Sequence, residues 1–226
     1  MSLNLPANET KSALQFWYYR ISAHHDKETQ QYLSLLPLTQ QRYYKELQHP
    51  RRAQQYLFSR LLICTALSER FNQPLSYWQI EERRHSTPLI HNLPTAHISL
   101  THSKTLIGFA LSDNNVGIDL EYKKSTRDFI SAAELFMSPD EISAMPKATL
   151  ARKNYFYQLW CAKEALYKAL PSAQQSQVTL TSLCYQDLKT GNTPWHLYEA
   201  SIDQYQLAII ANGIYPEPHH ISELKL

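Results

Sequence analysis

The sequence predicts an α+β protein of two consecutive units, 13–113 and 114–226. Three observations carry this. Short aromatic and aliphatic runs alternate with longer segments whose apolar residues recur every three or four positions, the separate signatures of strand and helix. The tetrad Ser112-Asp113-Asn114-Asn115 is a turn that divides two such sets of elements. With 43% apolar and 19% charged residues, the 226-residue chain has a globule's composition and the length for one large or two small domains.

Taken in order, residues 14–22 (LQFWYYRIS) are aromatic-rich and predict a strand, after twelve polar residues expected to fray. From about 26 to 72 the pattern is helical. Tyr32, Leu35 and Leu36 share a face that Pro37 ends, and Tyr56, Leu57, Arg60, Leu61, Cys64 and Leu67 mark an amphipathic helix running to about residue 71. Residues 76–81 read as a short strand and 85–94 as an irregular connection. Strands are expected at 97–100 and 105–111 around a Thr101–Lys104 turn, and again at Val116–Glu121. Helices follow at 128–136, at 139–145 with Ser138 as cap, and at 149–170. The tail, 180–188, 194–202 and 205–211, reads as three antiparallel strands.

Composition excludes several functions. Four glycines stand where an average chain carries roughly sixteen, and neither G-x-G-x-x-G nor G-x-x-x-x-G-K-[ST] occurs. A phosphate here must be held by side chains or a metal. A net charge of +2 is too mild to argue for nucleic acid, and no apolar run reaches the ~18 residues that span a bilayer. The N-terminus lacks a signal peptide's basic start and apolar stretch, and Cys64, Cys161 and Cys184 form no C-x-x-C. A cytoplasmic protein with free thiols is expected. The spacing of His85, His91, His97 and His102 fits no zinc pattern.

Two segments carry candidate chemistry. In a strand over Gly117-Ile118-Asp119-Leu120-Glu121, Asp119 and Glu121 share one face about 7 Å apart, where they repel unless a cation lies between them. Gly117 permits a close backbone approach just before them. In the helix over Trp160-Cys161-Ala162-Lys163-Glu164-Ala165-Leu166-Tyr167-Lys168, Glu164 and Lys168 are four apart on one face.

Together these segments, GIDLE and WCAKEALYK, resemble the two signature motifs of the 4′-phosphopantetheinyl transferase superfamily, in the right order and 42 positions apart from Glu121 to Lys163. Ile98–Ser103 looks like that family's N-x-S-H-S segment, and the helix with Arg51, Arg52 and Arg60 is similar to its arginine-bearing helix. The length fits the surfactin-synthetase-activating type. That resemblance implies a monomer of two similar α+β halves, each a small antiparallel sheet packed with helices, with the active site at their interface. It implies transfer of the phosphopantetheine arm of coenzyme A to a serine of an apo acyl or peptidyl carrier protein, with Mg²⁺, releasing adenosine 3′,5′-bisphosphate.

By the same resemblance Asp119, Glu121 and Glu164 are the metal ligands, an oxygen set that suits Mg²⁺. Glu164 is either also the base that takes the serine proton, directly or through water, or a metal ligand alone, and Lys163 and Lys168 pair with the phosphates. Asp119 and Thr101 also belong to the expected coenzyme A site. His102 corresponds to the family histidine near the 3′-phosphate, Arg60 and Arg52 or Arg51 are further phosphate partners, and Glu141 is placed like a family glutamate near the site. Two departures concern coenzyme A binding. Ser86-Thr87-Pro88 replaces a G-K-P-like segment, leaving Arg83 or Arg84 to supply the charge, and Cys64 falls where some relatives carry arginine. Two other readings compete: a Mg²⁺-dependent phosphotransferase on a different diphosphate, and a non-catalytic relative that binds carrier proteins. The retained acids and Lys168 argue against the second.

Overall fold

Strand β5 (Leu106–Ser112) is buried along its whole length, which requires a covering layer on each face. In this computed structural model, which describes residues 14–22, 28–83, 86–213, 218 and 220–225, those layers are a helix and a second sheet. Ile107, Phe109 and Leu111 face helix α3 (Pro50–Phe71), with Leu57, Leu61, Cys64 and Leu67 in the same core. Leu106 and Ala110 face the other way and join Phe16 in a core shared with Ile118, Leu120, Leu207 and Ile209. Gly108 shares that face and lies against Phe16 and Thr101. A Cβ there would fall 2.8 Å from the Phe16 ring, so the strand accepts only hydrogen at that point.

The first sheet runs β4 (His97–Ser103), β5, β1 (Gln15–Arg20) and β9 (His220–Glu223). Its pairings are antiparallel except β1 with β9, which is parallel. The second sheet is antiparallel, in the order β6 (Val116–Tyr122), β8 (Tyr205–Asn212), β7 (Trp195–Ile202). Ala208 and Ile210 on its outer face pack on helix α6 (Thr149–Ala169) through Cys161, Ala162, Ala165 and Leu166. The layers are therefore α3, first sheet, second sheet, α6, an α+β architecture of small sheets packed with helices. The remaining elements are α1 (Thr29–Ser34), α2 (Leu38–Glu46), a two-stranded ribbon of β2 (Ile80–Glu81) and β3 (Leu89–Ile90), α4 (Phe129–Ala133), α5 (Pro139–Ser143), α7 (Ser172–Gln175) and α8 (Tyr185–Thr190).

Two features bring the sheets together. β6 is an edge strand, so its outward N–H groups lack a ladder partner. Ser99, Thr101 and Ser103, alternating along β4, accept from the N–H groups of Ile118, Leu120 and Tyr122 at 3.1, 3.1 and 3.0 Å. Side-chain hydroxyls thus stand in for a neighbouring strand. On the opposite flank Gly117 lets α6 descend onto β6, since a Cβ would lie 1.9 Å from the Ala165 carbonyl oxygen.

Several expectations are corrected. Residues 180–188 are not a strand; they form a 3-10 turn at Leu180–Ser182 and then α8, which Gly191 ends in the left-handed conformation at φ 72°. The third strand of that sheet is β6 instead. The strand expected at 76–81 shrinks to Ile80–Glu81 behind a 3-10 turn at Leu75–Tyr77. The helix expected at 128–136 closes after Ala133. The twelve N-terminal residues, Arg84 and His85 lie outside the described residues.

Candidate active site

The close approach at Gly117 decides what faces what. With α6 against the Gly117–Asp119–Glu121 face of β6, Lys168 reaches Asp119 at 2.7 Å and the Ile118 carbonyl at 3.2 Å. Asp119 is 5% exposed. Its Oδ1 takes Lys168 and the Thr101 hydroxyl, the latter at 3.3 Å, while its buried Oδ2 has no hydrogen-bond partner. Ser103 donates to Glu121 at 2.9 Å. The hydroxyls that join the sheets therefore also hold the two strand acids.

The acids feel one another. Burial first, and then the charge of Asp119, pushes both the Glu121 and the Glu164 carboxyls above the ordinary carboxylate range. Burial works against the Lys168 ammonium, but Asp119 and then Glu164 hold it above the usual lysine value. Among the described residues no group of three or more His, Cys, Asp and Glu side chains is gathered closely enough to hold a metal ion as it stands. What is present is a patch of three acids in which Asp119 raises the other two and is itself paired with one ammonium, with one buried carboxylate oxygen left unbonded.

Beside this patch opens a cleft of about 620 Å³. Arg52, Tyr56 and Arg60 line it from α3, Thr101 and His102 from β4, and Lys168 from α6, so both sheets' layers contribute. Burial and then the Lys168 and Arg51 charges hold the His102 imidazole below its usual value, which keeps the ring neutral near pH 7. Arg60 lies over the Tyr56 ring and donates to Glu82 Oε1 at 2.7 Å, with a second bond to Oε2. Ser86, Thr87 and Pro88 form part of the same wall.

Residues 115–210 match the family described as the 4′-phosphopantetheinyl transferase superfamily. Residues 115–210 thus form a domain of that superfamily. The 4′-phosphopantetheinyl transferase ffp of Bacillus subtilis is 26% identical over 143 residues, 63% of this chain and 63% of that protein. Psf-1 of Bacillus pumilus is 31% identical over 117 residues, 51% of this chain and 49% of its own length. Sfp of Bacillus subtilis strain 168 is 25% identical over 143 residues, 63% of each. In all three the match spans less than two thirds of the relative's length.

In the structure the expected site residues divide. Arg52, Arg60, Thr101, His102 and Lys168 share the cleft. Asp119 touches both Thr101 and Lys168, and Glu121 and Glu164 lie within reach of its charge. Arg52 rather than Arg51 lines the cleft, while Arg51 acts on His102 through its charge. Lys163 is a correction. Its side chain is fully buried, donating to the Phe136 carbonyl at 2.9 Å and pairing with Glu141 at 2.5 Å, so it has no face for a phosphate. Glu141 is an anchor in turn: with Ser138 it forms a capping box on α5, and it accepts from the Tyr185 N–H. Cys64 sits in the α3 core, its thiol pushed up to about 12 by burial, and is no ligand contact. Arg83 is exposed and Arg84 lies outside the described residues. Tyr43, Tyr56, Glu82 and Ser103 were missed. A tyrosine among fifteen carries no mark in sequence, and Glu82 meets Arg60 across 22 positions that no local spacing links.

Proposed function

We propose that the protein transfers the 4′-phosphopantetheine arm of coenzyme A to a serine hydroxyl of an apo acyl or peptidyl carrier protein, with Mg²⁺, releasing adenosine 3′,5′-bisphosphate. One observation carries the reading. Lys168, rooted in α6, both lines the cleft that α3 and β4 shape and pairs with Asp119, so the basic cleft ends at the acid patch. A ligand with a nucleotide at one end and a diphosphate at the other matches that gradient. The names of the relatives support the same chemistry.

The donor set fits Mg²⁺. The unbonded Asp119 Oδ2, with Glu121 and Glu164 raised by burial and then by the Asp119 charge, is an oxygen set that a cation would stabilise. Mg²⁺ commonly takes one or two carboxylates and completes its shell with water and phosphate, so a closed three-acid cage is not required. Asp119, Glu121 and Glu164 would hold it, and it would supply Lewis-acid charge to the diphosphate.

The chain's own groups do the rest. Arg52 and His102 orient the nucleotide end. Glu164, its carboxyl held above the ordinary range, receives the serine proton directly or through water. The serine oxygen bonds to the phosphorus that bears pantetheine, the bond from that phosphorus to the bridging oxygen breaks, and the bisphosphate leaves with the electron pair. Lys168 offsets the charge that gathers on it. The described residues contain no helix long and apolar enough to cross a membrane, and the three cysteines are free, as thiols are in a reducing compartment. Intact mass spectrometry of apo carrier proteins after incubation with the protein, coenzyme A and Mg²⁺ tests this. A gain of ~340 Da, one phosphopantetheine arm, is expected, and no gain with fatty-acid, polyketide or peptide carriers would overturn the proposal.

A further inference from the structure

The three hydroxyls of β4 that meet β6 are not equivalent. Each accepts a backbone N–H, Ser99 from Ile118, Thr101 from Leu120 and Ser103 from Tyr122. With the oxygen used in that way, the hydroxyl proton is left to point elsewhere. Ser103 directs it to Glu121 Oε2 at 2.9 Å, and Thr101 to Asp119 Oδ1 at 3.3 Å. Ser99 makes the same backbone contact beside Gly117, which has no acid to receive a proton. One rung therefore only joins the sheets, while two also hold a carboxylate.

These bonds distinguish the two oxygens of each strand acid. Asp119 Oδ1 is held twice, by Thr101 and by Lys168 at 2.7 Å, and the buried Oδ2 has no partner. On Glu121 the Ser103 bond occupies Oε2, and among the described residues it is the one hydrogen bond to that carboxylate. Each acid thus has one committed oxygen and one left for a cation. Mg²⁺ is satisfied by single carboxylate oxygens in a tight octahedron, whereas Ca²⁺ takes more oxygens and gains from carboxylates that clasp it with both. For Glu121 to clasp a cation with both oxygens, Oε2 would have to give up its directed bond from Ser103.

We propose that Ser103 and Thr101 are positioning residues that set which cation the acid patch takes, favouring Mg²⁺ and Mn²⁺ over Ca²⁺ by committing one oxygen of each strand acid. The proposal rests on the metal site of the transfer reaction and adds what that site selects. Ser103 carries more of the effect, because Lys168 keeps Asp119 Oδ1 occupied when Thr101 is lost.

Electron paramagnetic resonance of free Mn²⁺ reads the site with no carrier protein and no turnover. Mn²⁺ is titrated into the full chain, and Mg²⁺ or Ca²⁺ is then added in competition. Mg²⁺ should displace Mn²⁺ about tenfold more effectively than Ca²⁺ does. In Ser103→Ala that gap should narrow about fivefold, the order of one hydrogen bond, and in Thr101→Val it should narrow less. Ser99→Ala also strands a β6 N–H, so it should lower the melting temperature as Ser103→Ala does, yet leave the gap unchanged. Ser103→Thr keeps the hydroxyl and should keep the gap. If Ser103→Ala fails to fold, Ser103→Cys fills the position with a weak donor and should narrow the gap instead. Absence of Mn²⁺ binding, equal displacement by Mg²⁺ and Ca²⁺, a gap unchanged in the Ser103 variants that lack a hydroxyl, or one narrowed as much in Ser99→Ala would overturn the proposal. The mass gain of a carrier protein decides the transfer reading separately: a chain that transfers with Mg²⁺ but shows any of these results loses only the selectivity.

Discussion

Replacing Gly117 by alanine would test whether the site depends on how closely α6 lies on β6. The added Cβ would stand 1.9 Å from the Ala165 carbonyl oxygen and 2.5 Å from the Ala169 nitrogen, whereas ordinary contact begins near 3.4 Å. Both obstacles are backbone, so no rotamer relieves them. The helix must withdraw by about 3.4 − 1.9 = 1.5 Å. Overpacking of this sort costs about 1–3 kcal/mol, and the rigid partners place Gly117→Ala at the upper end. With urea m-values of about 1–3 kcal/mol per molar, the midpoint should fall by about 1 M or more. The same withdrawal would stretch the 2.7 Å Lys168–Asp119 contact beyond hydrogen-bond reach. Misplacement by about 1 Å is enough to cost on the order of 100-fold in rate, so carrier modification by the folded variant should drop at least that far. Urea denaturation followed by single-turnover transfer measures both. A variant with wild-type midpoint and wild-type rate would refute the claim that hydrogen at position 117 sets the site.

Four further outcomes follow from particular contacts. Glu164→Ala should abolish carrier modification without lowering the melting temperature, because it removes a half-buried acid already repelled by Asp119; near-normal turnover would remove Glu164 from the site. Lys163→Met should cost about 3–5 kcal/mol in denaturant titration by stranding the Glu141 charge, with coenzyme A affinity unchanged; the opposite pattern would restore Lys163 to the phosphates. Ser103→Ala takes a partner from both Glu121 and the Tyr122 N–H, and should cost about 1–3 kcal/mol together with weaker Mg²⁺ dependence of turnover. Arg52→Ala should weaken coenzyme A binding about tenfold by calorimetry, the worth of one charge-assisted bond, whereas Arg51→Ala should have a smaller effect.

Much of this fold was legible because its signals are local. α6 declares itself through apolar spacing, α5 through Ser138 and Glu141, and β6 through alternation and the turn before it. The tail misled because Gly191 after a Leu-rich run fits a hairpin turn as well as a helix end, and only packing of Leu188 against α6 selects α8. The site divides in the same way. Asp119, Glu164 and Lys168 could be chosen by residue type and motif, but their union depends on a missing Cβ at Gly117 and on hydroxyls from β4. Lys163 shows the limit of such reading. Its neighbours Glu164 and Trp160 say nothing about Glu141, which arrives from 22 positions upstream to bury it.

A crystal structure with coenzyme A and Mn²⁺ bound tests the central claim most directly, because anomalous scattering locates the metal without ambiguity. The account predicts a manganese peak coordinated by Asp119 through its presently unbonded Oδ2, with Glu121 or Glu164 and diphosphate oxygens completing the shell, and the nucleotide in the cleft beside Arg52 and His102. A metal away from Asp119, or a nucleotide outside that cleft, would contradict it.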